Sequence, residues 1–248
     1  MHVTGLPFSF SISGDLSLAA PATFDVELGP AVAVEAFDQL RCVVAWFANL
    51  ADAGALGGEH LSPLDGVGTL LNGAEPISSG SLYRWQFSAL RVAPEALAVL
   101  ANLTWATGLD IQRAQFSTAH GTFPKVLQCD EFPACYRQLS FPLDDSRTGR
   151  DVTLIVDFAA DHADNDAEHL SDTLRVWSLV CALGGFRGSG PLRAAMDTIP
   201  DDDPEVELDQ LTFSLRAPSL HDAAFDALAN LLDRFSRERA AVRSVTLE

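Results

Sequence analysis

Short runs in which apolar and polar side chains alternate recur along the chain, and most lead into longer runs with a helical period. Tyr83, Trp85 and Phe87 alternate with Arg84, Gln86 and Ser88 in YRWQFS, and Leu211, Phe213 and Leu215 alternate with Thr212, Ser214 and Arg216 in LTFSLR. Successive side chains of a strand point to opposite faces, so both segments predict strands with one buried face. TFDVELG at 23–29 and DVTLIVDFA at 151–159 share that phase, and LDIQRAQFS from Leu109 and VRSVTL from Val242 add two more strands.

Apolar residues at helical spacing predict four helices, within VEAFDQLRCVVAWFANLADAG (34–54), APEALAVLANLTWATG (93–108), EHLSDTLRVWSLVCALGG (168–185) and LHDAAFDALANLLDRF (220–235). Leu97, Leu100, Leu103 and Thr107 form one stripe of the second, and Phe225, Leu228, Leu231 and Phe235 one stripe of the fourth. Pro94 suits a first helical turn, and Ser219 with Asp222 predicts a capping box. The first and third helices run out into glycine, a common C-terminal signal.

The tetrapeptide LANL occurs at 100–103 and again at 228–231. With FSFSIS and YRQLSF as first strands, each half reads strand, strand, helix, strand, helix, strand. The expectation is an α+β protein with an internal duplication. A first repeat covers 1–118, a linker 119–134, and a second repeat 135–248. Both helices of each half pack on one face of its sheet, because both stripes and one face of every strand must be buried together. The halves form either separate sheets or one long sheet related by pseudo-twofold symmetry. The strand, helix, strand, helix, strand core of each half resembles ferredoxin-like arrangements, an architectural likeness that implies no particular activity.

Composition narrows the partners. The 248 residues are 48% apolar, enough for a substantial core without disulfides. The formal net charge is −18, a field that repels phosphate backbones and attracts cations or basic proteins. Nucleic acid is therefore disfavoured as a partner. No apolar run has the length and freedom from charge of a membrane span, and MHVTGLPFSFSISGDL lacks the basic head of a secretory leader. The expected location is the cytoplasm. Of the four cysteines, Cys42 and Cys181 fall in apolar helical segments and read as small core groups, whereas Cys129 and Cys135 flank a loop and would pair only in an oxidising compartment.

Candidate chemistry is concentrated in DFAADHADNDAEHLSD. Asp161, His162, Asp164, Asp166 and His169 offer oxygen and nitrogen ligands to a divalent metal, although the spacing matches neither an EF-hand nor a His-Glu-x-x-His helix. The same acids would also favour a helix N-terminus without any ligand. The glycines of ALGGFRGSGPLR follow a helix, the reverse of a phosphate-binding loop, and read as a flexible exit. Asp201, Asp202 and Asp203 in IPDDDPEVELD read either as solvated loop charge or as part of an acidic dock for a basic protein partner. Two function classes follow. The first is a non-catalytic protein-binding or assembly module. The alternative is a small-molecule enzyme or sensor with a cleft between the repeats and a divalent cation at the 157–169 loop.

Overall fold

The computed structural model describes residues 2–14, 20–30, 35–56, 77–90, 94–118, 126–132, 135, 138–148, 151–159, 164–186, 199–200, 204–207, 209–216 and 221–248. The first half contains β1 (His2–Thr4), β2 (Ser9–Ser13), β3 (Ala20–Leu28), α1 (Glu35–Asp52), β4 (Ile77–Ser79), β5 (Leu82–Leu90), α2 (Ala96–Ala106), β6 (Ile111–Thr118) and β7 (Leu127–Gln128). The second contains β8 (Leu143–Asp145), β9 (Asp151–Phe158), α3 (Asp164–Ala182), β10 (Ile199–Pro200), β11 (Glu205–Glu207), β12 (Gln210–Arg216), α4 (Asp222–Glu238) and β13 (Val242–Leu247). The class is α+β, with two mixed sheets.

The first sheet has the order β4-β5-β3-β6-β2-β1-β7, and the second β10-β12-β9-β13-β8, with β11 also paired to β12. One path is common to both. The run β5-β3-β6 is antiparallel throughout and β2 joins β6 in parallel; likewise β12-β9-β13 is antiparallel and β8 joins β13 in parallel. Among the described residues the sheets differ at the outer edge, where β1 and β7 extend the first beyond β2 while β8 ends the second.

Alternation explains which face of each sheet is dry. Phe24, Val26, Trp85, Phe87, Ala114 and Phe116 of the first sheet are buried, as are Leu154, Val156, Phe213 and Val245 of the second. Burying one such large side chain contributes about 1.5–3 kcal/mol. The opposite faces are polar and internally paired. Arg84 bonds Asp25 at 2.7 Å, Arg113 meets Glu27 at 3.1 Å, and Thr23 meets Ser117 at 2.7 Å. On the second sheet Asp157 accepts from Gln210 at 2.9 Å and from Ser244 at 2.7 Å.

α1 packs on both α2 and α3, so one apolar core runs through the two halves. The single stripe expected for α2 proves too narrow. Every residue from Ala96 to Thr104 is buried, because this almost wholly apolar helix is covered by its own sheet on one side and by the other half on the next.

The ends of α1 and α3 are built alike. Gly54 (φ +80°) and Gly184 (φ +76°) adopt the left-handed conformation that closes a helix. The Ala55 N–H returns to Leu50 O and the Gly185 N–H to Val180 O, each at 2.9 Å, the long bond of a Schellman motif.

Several local expectations are corrected. YRQLSF is not a strand over its described residues; the strand begins at Leu143. Its Ser140 N–H is committed to the Asp233 carboxylate at 2.8 Å, and the first bond to β13 is made by Pro142 O. α4 is capped by His221, whose Nδ1 accepts from the Ala223 N–H at 3.1 Å, and Ser219 of the expected capping box lies outside the described residues. Cys42 is exposed on the outward side of α1, while Cys181 is buried, and all four cysteines are free thiols. Part of the segment expected to be a linker is β7, which pairs with β1 and buries Leu127.

Candidate functional sites at the half junction and the sheet edge

Of the residues singled out by the acidic cluster, Asp161 and His162 lie outside the described residues, and so do Asp201, Asp202 and Asp203. Asp164 opens α3. Asp166 stands 3.8 Å from Arg239, and His169 is exposed on the second turn of the helix. Among the described residues no three His, Cys, Asp or Glu side chains converge as a metal-binding set.

His169 instead lines a cleft of about 190 Å³ where the end of α1 meets α3 and α4. α1 contributes Asn49 and Asp52, α3 contributes His169 and Thr173, and α4 contributes Arg234 and Glu238, over an apolar floor that includes Leu170 and Phe235. Arg234 is the fixed element. Its side chain is 15% exposed, crosses the bare backbone of Gly54, and donates from Nε to Glu238 Oε2 at 3.0 Å.

The electrostatics of the cleft are unbalanced. Asp52 is exposed as a residue, yet its carboxyl loses enough water at the cleft wall to raise its pKa. Arg234 and His169 offset that rise and Glu238 adds to it. Desolvation likewise lowers the pKa of His169, with Arg239 reinforcing the effect and Asp172, Asp166 and Asp52 opposing it.

A second cavity, of about 230 Å³, opens beneath the β8 edge. Its walls are apolar: Phe141 and Leu143 on one side, Phe225, Leu228 and Leu232 of α4 on another, and Leu247 of β13 at the back. Asp222 and Asp226 of the first turns of α4 stand at this cavity with Asp145. Burial raises the pKa of Asp226, the Cys135 backbone N–H partly offsets the rise, and Asp222 adds to it. The cation at this cavity is Arg147. Its guanidinium lies 3.4 Å above the Phe225 ring and its Nε donates to Asp145 at 2.6 Å.

Neither site was legible as a motif. Asp52, His169 and Arg234 come from three helices, and the edge cavity exists because one strand ends a sheet. The available signals were the apolar stripe of α4 and the arginines at 234 and 239, which carry no spacing code.

No family model matches the chain, and no curated protein matches it. Among solved structures, similarity is found to the ferredoxin protease FusC in complex with Arabidopsis ferredoxin, at 9% identity and a TM-score of 0.20. The match covers 92% of this chain but spans only 36% of the FusC chain. A dye-decolorizing peroxidase from Bacteroides thetaiotaomicron matches at 10% identity and TM-score 0.20, covering 96% of this chain and 94% of its own. A predicted insulinase family protease from Yersinia pestis matches at 8% identity and TM-score 0.19, covering 93% and 70% respectively. Likenesses at this level assign this chain to no family.

Proposed function

We propose that the protein is a non-catalytic protein-binding module of the cytoplasm that accepts an extended, basic-flanked segment of a partner as an added strand on β8. The two halves are read as a duplication of one ferredoxin-like-related unit about a pseudo-twofold axis, a reading supported by the common strand path and the matched helix ends.

The observation that carries the proposal is the unequal outer edge of the two sheets. In the first, Phe10, Val3 and Leu127 form one inward row in register across β2, β1 and β7, and all three are buried. In the second, the matching row stops at Leu143 among the described residues; Leu143 pairs with Val245 and is 37% exposed above the apolar cavity. A strand laid antiparallel on β8, as β1 lies on β2, would place an inward apolar side chain over that cavity.

Charge selects the flanks of the partner. Asp144, Asp145, Asp222 and Asp226 occur at this edge, and Arg147 is already tied to Asp145. Lysine or arginine at alternate outward positions would meet carboxylates, with a gain mainly in encounter rate and specificity. The free thiols suit a reducing compartment, and the net charge of −18 disfavours a nucleic-acid partner.

The test uses two synthetic peptides, one alternating valine with lysine and one alternating valine with glutamate. The expected result is salt-sensitive binding of the basic peptide, with hydrogen-exchange protection confined to residues 143–147. Leu143→Lys should weaken binding about tenfold or more with unchanged melting temperature. Equal binding of the acidic peptide, or protection elsewhere only, would overturn the reading.

A further inference from the structure

We propose that the cleft between the halves is a second, independent binding site, for a small zwitterion of the size and chemistry of a free aliphatic amino acid. It does not depend on strand addition at β8, whose cavity is lined by other α4 side chains, Phe225, Leu228 and Leu232, than those at the cleft.

Three features of the cleft specify the ligand. The first is an oriented cation. Arg234 is held along its stem by Gly54 and at Nε by Glu238, so its terminal nitrogens are left at the cleft, where Arg239 supplies a second guanidinium. A guanidinium fixed in this way presents a fork suited to a carboxylate.

The second is a pair of carboxylates, Asp52 and Glu238, of which Glu238 is hydrogen-bonded to Arg234 while Arg239 stands beside Asp166. Among the described residues no side chain makes a hydrogen bond or ion pair with the Asp52 carboxylate at the cleft wall, and an ammonium group would supply that partner. The third is the apolar floor of Leu170, Leu231 and Phe235, which matches an aliphatic side chain and gives no partner to further polar groups. Ligand sites commonly combine such a floor with a few convergent polar groups at an interface between units.

The polar lining is not a requirement of the fold. Counting back from the helix-closing glycines, Asp52 corresponds to Ala182 and Asn49 to Leu179; counting on from the asparagines of the repeated tetrapeptide, Arg234 corresponds to Ala106. The opposite junction thus carries alanine and leucine where this one carries an acid, an amide and an arginine. A purely structural junction is made there without charge.

The test is isothermal titration and thermal melting of the whole chain with L-leucine, L-valine and L-methionine, alongside isopentylamine and 4-methylpentanoate, which each lack one charge of leucine. At least one amino acid should bind and raise the melting temperature, and each single-charge analogue should bind about tenfold more weakly or worse. Asp52→Asn, at an exposed position, should keep the fold and weaken the amino acid about tenfold while leaving the carboxylate analogue unchanged. Arg234→Met should weaken the amino acid and the carboxylate analogue alike. The proposal is overturned if none of the three amino acids binds, if the amine alone binds as tightly, or if Asp52→Asn has no effect. Binding of the basic peptide at β8 should be unaffected by Asp52→Asn, so failure at one site does not decide the other.

Discussion

The side-chain amide of Asn102 donates to the carbonyl oxygen of Gly185, 83 residues further along the chain, at 3.3 Å, and also to Cys129 O at 2.8 Å. Gly185 lies just past the end of α3. The other copy of the tetrapeptide does the reciprocal job, since Asn230 reaches Ala55 O, just past the end of α1, at 3.5 Å. LANL is written twice because each asparagine, buried in its own helix, satisfies a carbonyl left open where the partner half's long helix closes.

Unequal geometry predicts unequal cost. Asn102→Ala leaves two buried carbonyls without this donor and should destabilise by about 1–3 kcal/mol. At Asn230→Ala the bond to Ala55 O is already at the limit of useful length, so the loss of that bond contributes about 1 kcal/mol or less. Urea unfolding midpoints at constant slope give both values.

Gly54→Ala should cost more than Gly108→Ala. Both positions have positive φ, which carries a strain of about 1–3 kcal/mol for a residue with a Cβ. At Gly108 the added methyl meets open space, whereas at Gly54 it collides with Arg234 Cδ. Thermal denaturation of the two variants separates strain from collision, and Gly54→Ala should also weaken any ligand held by Arg234.

Asp233 is fully buried on α4, where Arg237 donates to it from Nε at 2.9 Å and the Ser140 N–H at 2.8 Å. Burial alone would raise its pKa, but these donors together outweigh burial and lower it. Asp233→Ala should cost about 1.5–3 kcal/mol, the range for hydrogen bonds to a charged group. Because the Ser140 bond sets the approach to β8, hydrogen exchange should also quicken at 143–145 before global unfolding.

The acid limb of stability should involve Asp157. Hydrogen bonds from Gln210 and then Ser244 lower its pKa, so the folded state binds its proton less readily than the unfolded chain. Its stabilisation is present above the ordinary aspartate range near 3.8 and is lost as pH falls through the lowered value. Asp157→Asn should flatten that part of the pH–stability curve. Asp52 has the opposite sign. Its raised pKa means stabilisation at low pH that is lost as pH rises, so Asp52→Asn should leave the protein slightly more stable at neutral pH.

The major strands and all four helices were legible because their periods are long enough to count. Phe24, Val26, Trp85, Phe87, Leu154 and Phe213 fall on buried faces as their alternation requires. β4, β10 and β7 were not legible, since two or three residues have no period and are strands only by virtue of a neighbour. YRQLSF misled for a related reason. It alternates well enough, but Ser140 is claimed by a carboxylate on α4, and that competition is invisible along the chain.

By itself the sequence determined the α+β class, the major strands and helices, the repeated LANL and the acidic net charge, because these follow from local periodicity and composition. Only the tertiary structure decided what the asparagines bond, where Arg234 is pinned, and which sheet edge is left open among the described residues. Those features depend on residues far apart in the chain meeting at one place, and no local pattern encodes the meeting.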